Sequence, residues 1–221
     1  MNAINVDDPS LIFSLIKDCN FTLVEELIDD KKVDANLEDS FGNDVVMRLV
    51  KAKQCHLALK LMKRKNWDVN HQNQDGNTLG HILAYDNSIN AIQIVEELLK
   101  NKNYLSNIRN NRGETTLDIA INNNYLCTAF KILEDKRFNS INYDSFKNLF
   151  NATVSNKLYG KYSKISNLET IITHLNKKEL DNELTDLIDY MNNNIESIKN
   201  TILNDNIVIL DSIVNNKLLE M

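Results

Sequence analysis

The sequence has little glycine and almost no proline. Five glycines and one proline serve 221 residues. So few glycines build no loop that could cradle a phosphate, and Gly76 and Gly80 form neither a Gly-x-Gly-x-x-Gly run nor a P-loop. Cysteine is scarce as well. Cys19, Cys55 and Cys127 are odd in number and far apart, which excludes a disulfide framework and fits a reducing compartment. No apolar run approaches the roughly 18 residues that would suggest a membrane span. Met1 to Pro9 has neither the basic nor the apolar part of a secretory signal. A cytoplasmic or nuclear protein is expected. An excess of positive charge is also missing. The net charge is −6 and the isoelectric point about 5.3, which argues against nucleic acid as the main partner, because phosphate binding rests on Lys and Arg. The Lys and Arg residues between Lys51 and Lys65 read as a solvated helix face.

Catalytic patterns are equally thin. The four histidines, His56, His71, His81 and His174, share no metal-ligand spacing with the cysteines. Cys55 and His56 are neighbours, and neighbours on a helix point about 100° apart. Cys55 and Cys127 read as core residues. Asp7-Asp8, Asp29-Asp30 and Glu96-Glu97 are adjacent pairs, whereas acid/base work needs two carboxylates in different environments across a cleft. No catalytic residue, metal or cofactor is expected.

What the sequence does contain is a repeat. Asn36, Asn70, Asn107 and Asn142 each close an apolar run, at intervals of 34 to 37 residues. Six residues after the first three stand Gly42, Gly76 and Gly113. Two residues further come Asp44, Thr78 and Thr115, of types that start helices. In Asp75-Gly76 the Gly supplies a positive φ and the Asp bonds to nearby backbone. Each start is followed by a short helical pattern (45–51, 79–85, 116–122) and, after a polar break, by a second (56–63, 91–100, 126–133). An earlier copy starts at Asp8-Pro9, with Asp as N-cap and Pro at the first helical position. Leu11, Ile12, Leu15 and Ile16 form its first helix and Phe21, Val24, Leu27 and Ile28 its second. A fifth, decayed copy places Asn148 where the glycine would stand.

These units resemble ankyrin repeats. Asp68-Val69-Asn70 matches the closing Asp-Val-Asn of that family, and Asp34-Ala35-Asn36 is close to it. Residues 73–84 are similar to its turn and first helix, with Thr78 and His81 in their places, and residues 110–120 are similar again. The departures are specific. No copy has Pro in the Thr-Pro-Leu-His slot. Met47 and Asp118 replace the histidine. Gly80 replaces a leucine, at a helix cost of roughly 1 kcal/mol against Ala. Extra residues enter around Asp86 to Ala91. The resemblance implies an all-α fold: an ankyrin-repeat solenoid of about four or five helix-turn-helix repeats over residues 1–146. A helical extension follows over 147–221.

In that extension Leu184, Ile188, Met191, Ile195, Ile198 and Ile202 are spaced alternately by four and three, a heptad seam. Asn192-Asn193-Asn194 interrupts it with turn-forming residues. Two readings stand: a short coiled coil that makes a homodimer or captures a partner, or helices folding back as a bundle. The apolar pattern continues through Ile207–Leu210, Ile213-Val214 and Leu218-Leu219.

The resemblance also implies protein–protein recognition by a concave surface of turn tips and exposed first-helix positions. An adaptor or scaffold is the expectation. The alternative is a regulatory subunit of a transcriptional or trafficking assembly that docks or oligomerises through its C-terminal helices. The candidate contact residues are Asp39, Phe41, Asn43, Arg48, Lys51, Gln74, Asn77, Tyr85, Asp86, Asn111, Arg112 and Glu114. Phe41 leads, as an aromatic in a normally polar turn, with packing onto the neighbouring turn as its other reading. Trp67 is either a binding hot spot or packing at the end of a second helix, and His81 is a hydrogen-bonding structural residue.

Overall fold

The computed structural model describes residues 8, 10–86, 88–135, 137–138, 141, 143–155, 160–175 and 182–204. Pro9, Asn142, Leu180 and the apolar positions from Ile207 to Leu219 lie outside them. The described residues are helical, with one isolated antiparallel bridge between Glu38 and Asp44. Two compact units divide the chain, Met1–Ile119 and Ala120–Met221.

The repeat spacing translates directly into helix pairs: α1 (Leu11–Lys17) with α2 (Phe21–Asp29), α3 (Val45–Lys51) with α4 (Cys55–Met62), and α5 (Leu79–Leu83) with α6 (Ile89–Lys100); α7 (Thr116–Asn122) and α8 (Leu126–Leu133) follow in the same order along the chain. The expected N-cap at Asp8 is displaced. Ser10 immediately precedes α1, while the Asp8 carbonyl accepts from the Leu11 N–H at 3.0 Å and its carboxylate from the Ser10 N–H at 2.8 Å. Short connections leave Cys19, Lys53 and Asn124 in the left-handed region, one residue past the C-caps of α1 and α3 and two past the end of α7.

In the first unit α1, α3 and α5 pack in sequence, and α2, α4 and α6 do the same. Burial follows position in the stack. Helix α3 has neighbours on two sides and buries Val45, Val46, Met47, Leu49 and Val50, while α1 buries only Ile12, Leu15 and Ile16. The second helices are one-sided: α4 buries Leu57, Ala58, Leu61 and Met62 and leaves its charges outside. Lys60 on that outer side pairs with Glu25 and Asp29 of α2, each at 2.8 Å.

The periodic asparagines have a specific task. The Asn36 carboxamide donates to the Asn66 carbonyl at 2.7 Å and accepts from the Asp68 N–H at 2.8 Å. Asn70 repeats this one unit on, donating to the Asn103 carbonyl at 2.8 Å and accepting from the Leu105 N–H at 2.9 Å. Three residues before each repeat asparagine stand Val33, Trp67 and Tyr104, all buried. Trp67 is therefore packing, and its indole N–H donates to Asp44 Oδ2 at 2.9 Å.

Tyr104 explains Gly80. The ring is almost wholly buried, and a Cβ on Gly80 would fall on its hydroxyl oxygen and 2.8 Å from Thr116 Oγ1.

The second unit holds α8, α9 (Tyr143–Ser155), α10 (Lys161–Leu175), α11 (Asn182–Asn193) and α12 (Ile195–Leu203). Asn148 is in the middle of α9, not in a turn, so the expected fifth copy is a continuous helix. The reason is packing: Phe146, Leu149, Phe150 and Val154 are buried at helical spacing, with Phe146 and Phe150 stacked at 6.3 Å. Within this unit the helices of the heptad seam pack on a helix of the same chain. The helix breaks at Asn194, and α11 and α12 both pack on α10. Leu184, Ile188, Met191, Ile198 and Ile202 are buried within this unit. Lys199 of α12 reaches Glu169 of α10 at 2.7 Å. Cys127 departs from the expected core position. It is exposed, because α8 turns Leu126, Ala129, Ile132 and Leu133 inward. Cys55 is half-buried at the start of α4.

Alanine in place of a helical glycine usually adds about 1 kcal/mol of stability. Gly80→Ala is expected to cost about 1–3 kcal/mol instead, through overpacking against Tyr104 and Thr116. Adding Tyr104→Phe should restore part of that loss. Urea unfolding of the two variants measures both effects.

Candidate functional site

Three turns built alike carry most of the candidate contact residues. In the first, Asp39 Oδ1 accepts from the N–H groups of Phe41 and Asn43, both at 2.9 Å. In the second, Asn73 Oδ1 accepts from Asp75 and Asn77, both at 3.0 Å. In the third, Asn110 Oδ1 accepts from Arg112 at 2.9 Å and Glu114 at 3.0 Å. The residue three before the glycine thus organises each turn, and at Asp75-Gly76 the side chain that bonds to backbone is that of Asn73. Gly42, Gly76 and Gly113 close the turns at φ of +71°, +73° and +76°, where a Cβ is disfavoured.

The turns are tied to one another. Gln74 N–H donates to the Phe41 carbonyl at 3.1 Å, and its carboxamide donates to that of Ser40 at 3.0 Å. Asn111 N–H donates to the Asp75 carbonyl at 3.0 Å, and its carboxamide donates to that of Gln74 at 2.8 Å. Beneath this row Asn73 Nδ2 donates to Asn43 Oδ1 at 2.9 Å and Asn110 Nδ2 to Asn77 Oδ1 at 3.0 Å.

The candidates divide accordingly. Asn43 is buried and belongs to the frame, accepting also from Lys51 Nζ at 2.6 Å. Gln74 and Asn111 are exposed but spend their carboxamides on the ladder, and half-buried Asn77 does likewise. Asp86 is half-buried and paired with Lys53 at 2.5 Å. Burial pushes its carboxyl up, but Lys53 and Ser88 outweigh this and hold it below its ordinary value. Tyr85, Arg112 and Glu114 form one cluster. The Arg112 guanidinium lies over the Tyr85 ring at 5.9 Å, donates to its hydroxyl, and pairs with Glu114 at 2.7 Å.

Asp39, Phe41 and Arg48 meet at an open cleft of about 650 Å³ between α1 and the first turn. Phe41 is 65% exposed, so it does not bury itself on the next turn. Arg48 Nε lies 3.3 Å from Asp39 Oδ2. Burial pushes Asp39 up, but the N–H groups of Asn43 and Phe41, the Asn43 carboxamide and Arg48 hold it below the usual carboxylate range. Lys51 beside it is exposed along its stem but turns its ammonium group onto Asn43, and the partial desolvation there is the main cause of its lowered pKa. The opposite wall comes from α1, with Phe13, Ser14 and Lys17. Sequence reasoning missed these three. The available signal was Phe13, an aromatic off the stripe of Ile12, Leu15 and Ile16.

The histidine slot is solved differently in each unit. His81 is fully buried, with Nδ1 accepting from the Thr78 N–H at 3.1 Å and Nε2 placed 3.0 Å from the Glu114 carbonyl. The tautomer these partners assign is neutral with the proton on Nε2. At the Met47 position, Asp44 caps α3 through the Met47 N–H at 2.7 Å, although burial pushes its own carboxyl up. At the third position Asp118 Oδ2 accepts from the Thr115 N–H and hydroxyl, both at 2.9 Å. These groups hold turns and helix starts. No group of three or more His, Cys, Asp or Glu is placed to hold a metal ion among the described residues. No helix among them is long and apolar enough to cross a membrane.

Helix pairs joined by short turns, with a glycine turn between pairs, define a repeat fold of the ankyrin type. Comparison with solved structures agrees: the chain is similar to the crystal structure of EF0377, an ankyrin repeat protein. The TM-score is 0.59 and the identity 19%, over 74% of this chain and 82% of that one. No family model and no curated protein matches the sequence.

Burial holds the pKa of His81 below the ordinary imidazole value of 6.5. The unfolded chain therefore takes up the proton first as the pH falls. The stability contributed by neutral His81 is fully present above pH 6.5 and is lost as the pH falls through that value toward the lower folded one. Melting temperatures measured between about pH 7.5 and 5.5 are expected to fall less in His81→Gln than in the parent chain.

Proposed function

We propose that this chain is a non-enzymatic interaction module, an adaptor or scaffold. It binds a partner protein through the face made by its turns and first helices. Residues 1–146 act as the repeat domain and 147–221 as its helical extension, in the cytoplasm or the nucleus. The observation that carries this reading is the exposure of Phe41 and Tyr85 (65% and 45%) on a ladder of turns fixed by carboxamide bonds. Large apolar side chains on rigid backbone suit recognition, because little conformational entropy remains to be lost on binding. The alternative, a regulatory subunit that docks through its C-terminal helices, has less support, since the apolar seam of those helices is largely buried within its own unit.

The test is affinity capture from source cells with the full chain as bait and mass spectrometry as readout. Partners held by the parent chain should be lost, or weakened about tenfold or more, in the combined variant Phe41→Ala, Arg48→Ala, Tyr85→Ala. Partners retained at full strength by that variant would mean that the binding face lies elsewhere.

A further inference from the structure

The cleft between α1 and the first turn has a chemistry of its own. Its apolar surface comes from Phe13, Leu37 and Phe41, on two different elements. Its charged lining is Lys17, Glu38, Asp39 and Arg48. These four are not equally available. Asp39 is occupied from within, by two backbone N–H groups, the Asn43 carboxamide and Arg48. Glu38 lies 3.9 Å from the His71 ring. Lys17 is exposed and makes no ion pair among the described residues. The terminal nitrogens of Arg48 make no hydrogen bond among them either, its contact with Asp39 running through Nε. An apolar floor therefore lies beside two cationic groups that retain donors; the Asp39 carboxylate next to them is already satisfied, and the second carboxylate of the lining, Glu38, is exposed on the side of His71.

We infer that this cleft takes a short acidic peptide segment of a second protein, one aliphatic or aromatic side chain seated against Phe13 and Phe41 and a neighbouring Asp or Glu carboxylate held by Lys17 and Arg48. The inference rests on the proposed function and makes it specific. The apolar contact supplies affinity, and the charge pair sets orientation and rejects basic segments. Guanidinium suits the carboxylate because its planar donors match the two oxygens. Both charges lie near solvent, so added salt weakens the complex.

The experiment is a display selection of random peptides about ten residues long on the full chain. Affinities of the enriched peptides are then measured by fluorescence polarisation. The variants are Phe41→Ser, Lys17→Glu and the pair Tyr85→Ala with Arg112→Ala, each checked by circular dichroism. The expected result is enrichment of an apolar residue within a few positions of Asp or Glu. Phe41→Ser and Lys17→Glu should each weaken such peptides about tenfold, with little change in the Tyr85/Arg112 variant. Enrichment of basic or uncharged peptides would overturn the inference. So would self-association of the chain that Phe41→Ser abolishes, since the occupant would then be a second copy. Peptides sensitive to the Tyr85/Arg112 variant alone would overturn the cleft and leave the proposed function standing. Peptides indifferent to every variant, or no enrichment at all, would remove both.

Discussion

A carboxamide can donate and accept at once without carrying charge, and the first unit depends on that property. Asn36 and Asn70 each clamp the closing segment of the following repeat with one donated and one accepted bond. Asn73 and Asn110 use both ends as well, accepting from N–H groups of their own turn and donating to the turn before, while the carboxamides of Gln74 and Asn111 tie the turn tips together as donors. Each such bond contributes only about 1 kcal/mol net. Their value is that they satisfy loop backbone that no helix or strand would satisfy, and so fix the distance between units. A charged side chain in those places would serve as donor or as acceptor, not as both.

That frame decides which residues remain for recognition. A polar side chain at a turn tip looks available on the sequence, but Gln74, Asn77 and Asn111 are committed to neighbouring turns and Asn43 is buried. What the frame leaves over is mostly aromatic or cationic: Phe41 and Arg48 at one cleft with Phe13 and Lys17, and Tyr85 with Arg112 further along. The exposed face thus combines apolar area with cations set beside carboxylates, Arg48 by Asp39 and Arg112 by Glu114.

Departures from the repeat pattern are compensated locally. Where histidine is missing, Asp44 or Asp118 takes over the N–H groups at the helix start, and each solution recruits a further group, the Trp67 indole in one case and the Thr115 hydroxyl in the other. Gly80 looks like a defect by helix propensity and is a fitting condition by packing, because Tyr104 occupies the space a side chain would need. Substitutions in this array are therefore coupled across a repeat, and a change toward the common pattern at one position need not stabilise it.

The sequence by itself determined the helix pairs, the phase of the three turns, and the structural role of His81. Those features rest on local chemistry: apolar periodicity of a helix, glycine at positive φ, a cap residue one step before a helix. Residues several repeats apart were legible only as a period. Tertiary structure alone decided that Asn43 is inside and Phe41 outside, since both sit in one turn and differ only in what the next repeat presses against them. It also decided that Asn148 continues a helix, because the buried Phe146 and Phe150 outweigh the repeat phase, and that Cys127 faces outward. The cleft was invisible beforehand for the same reason. It joins α1 to a turn more than twenty residues away, and no spacing rule connects residues whose proximity is set by how two neighbouring repeats stack.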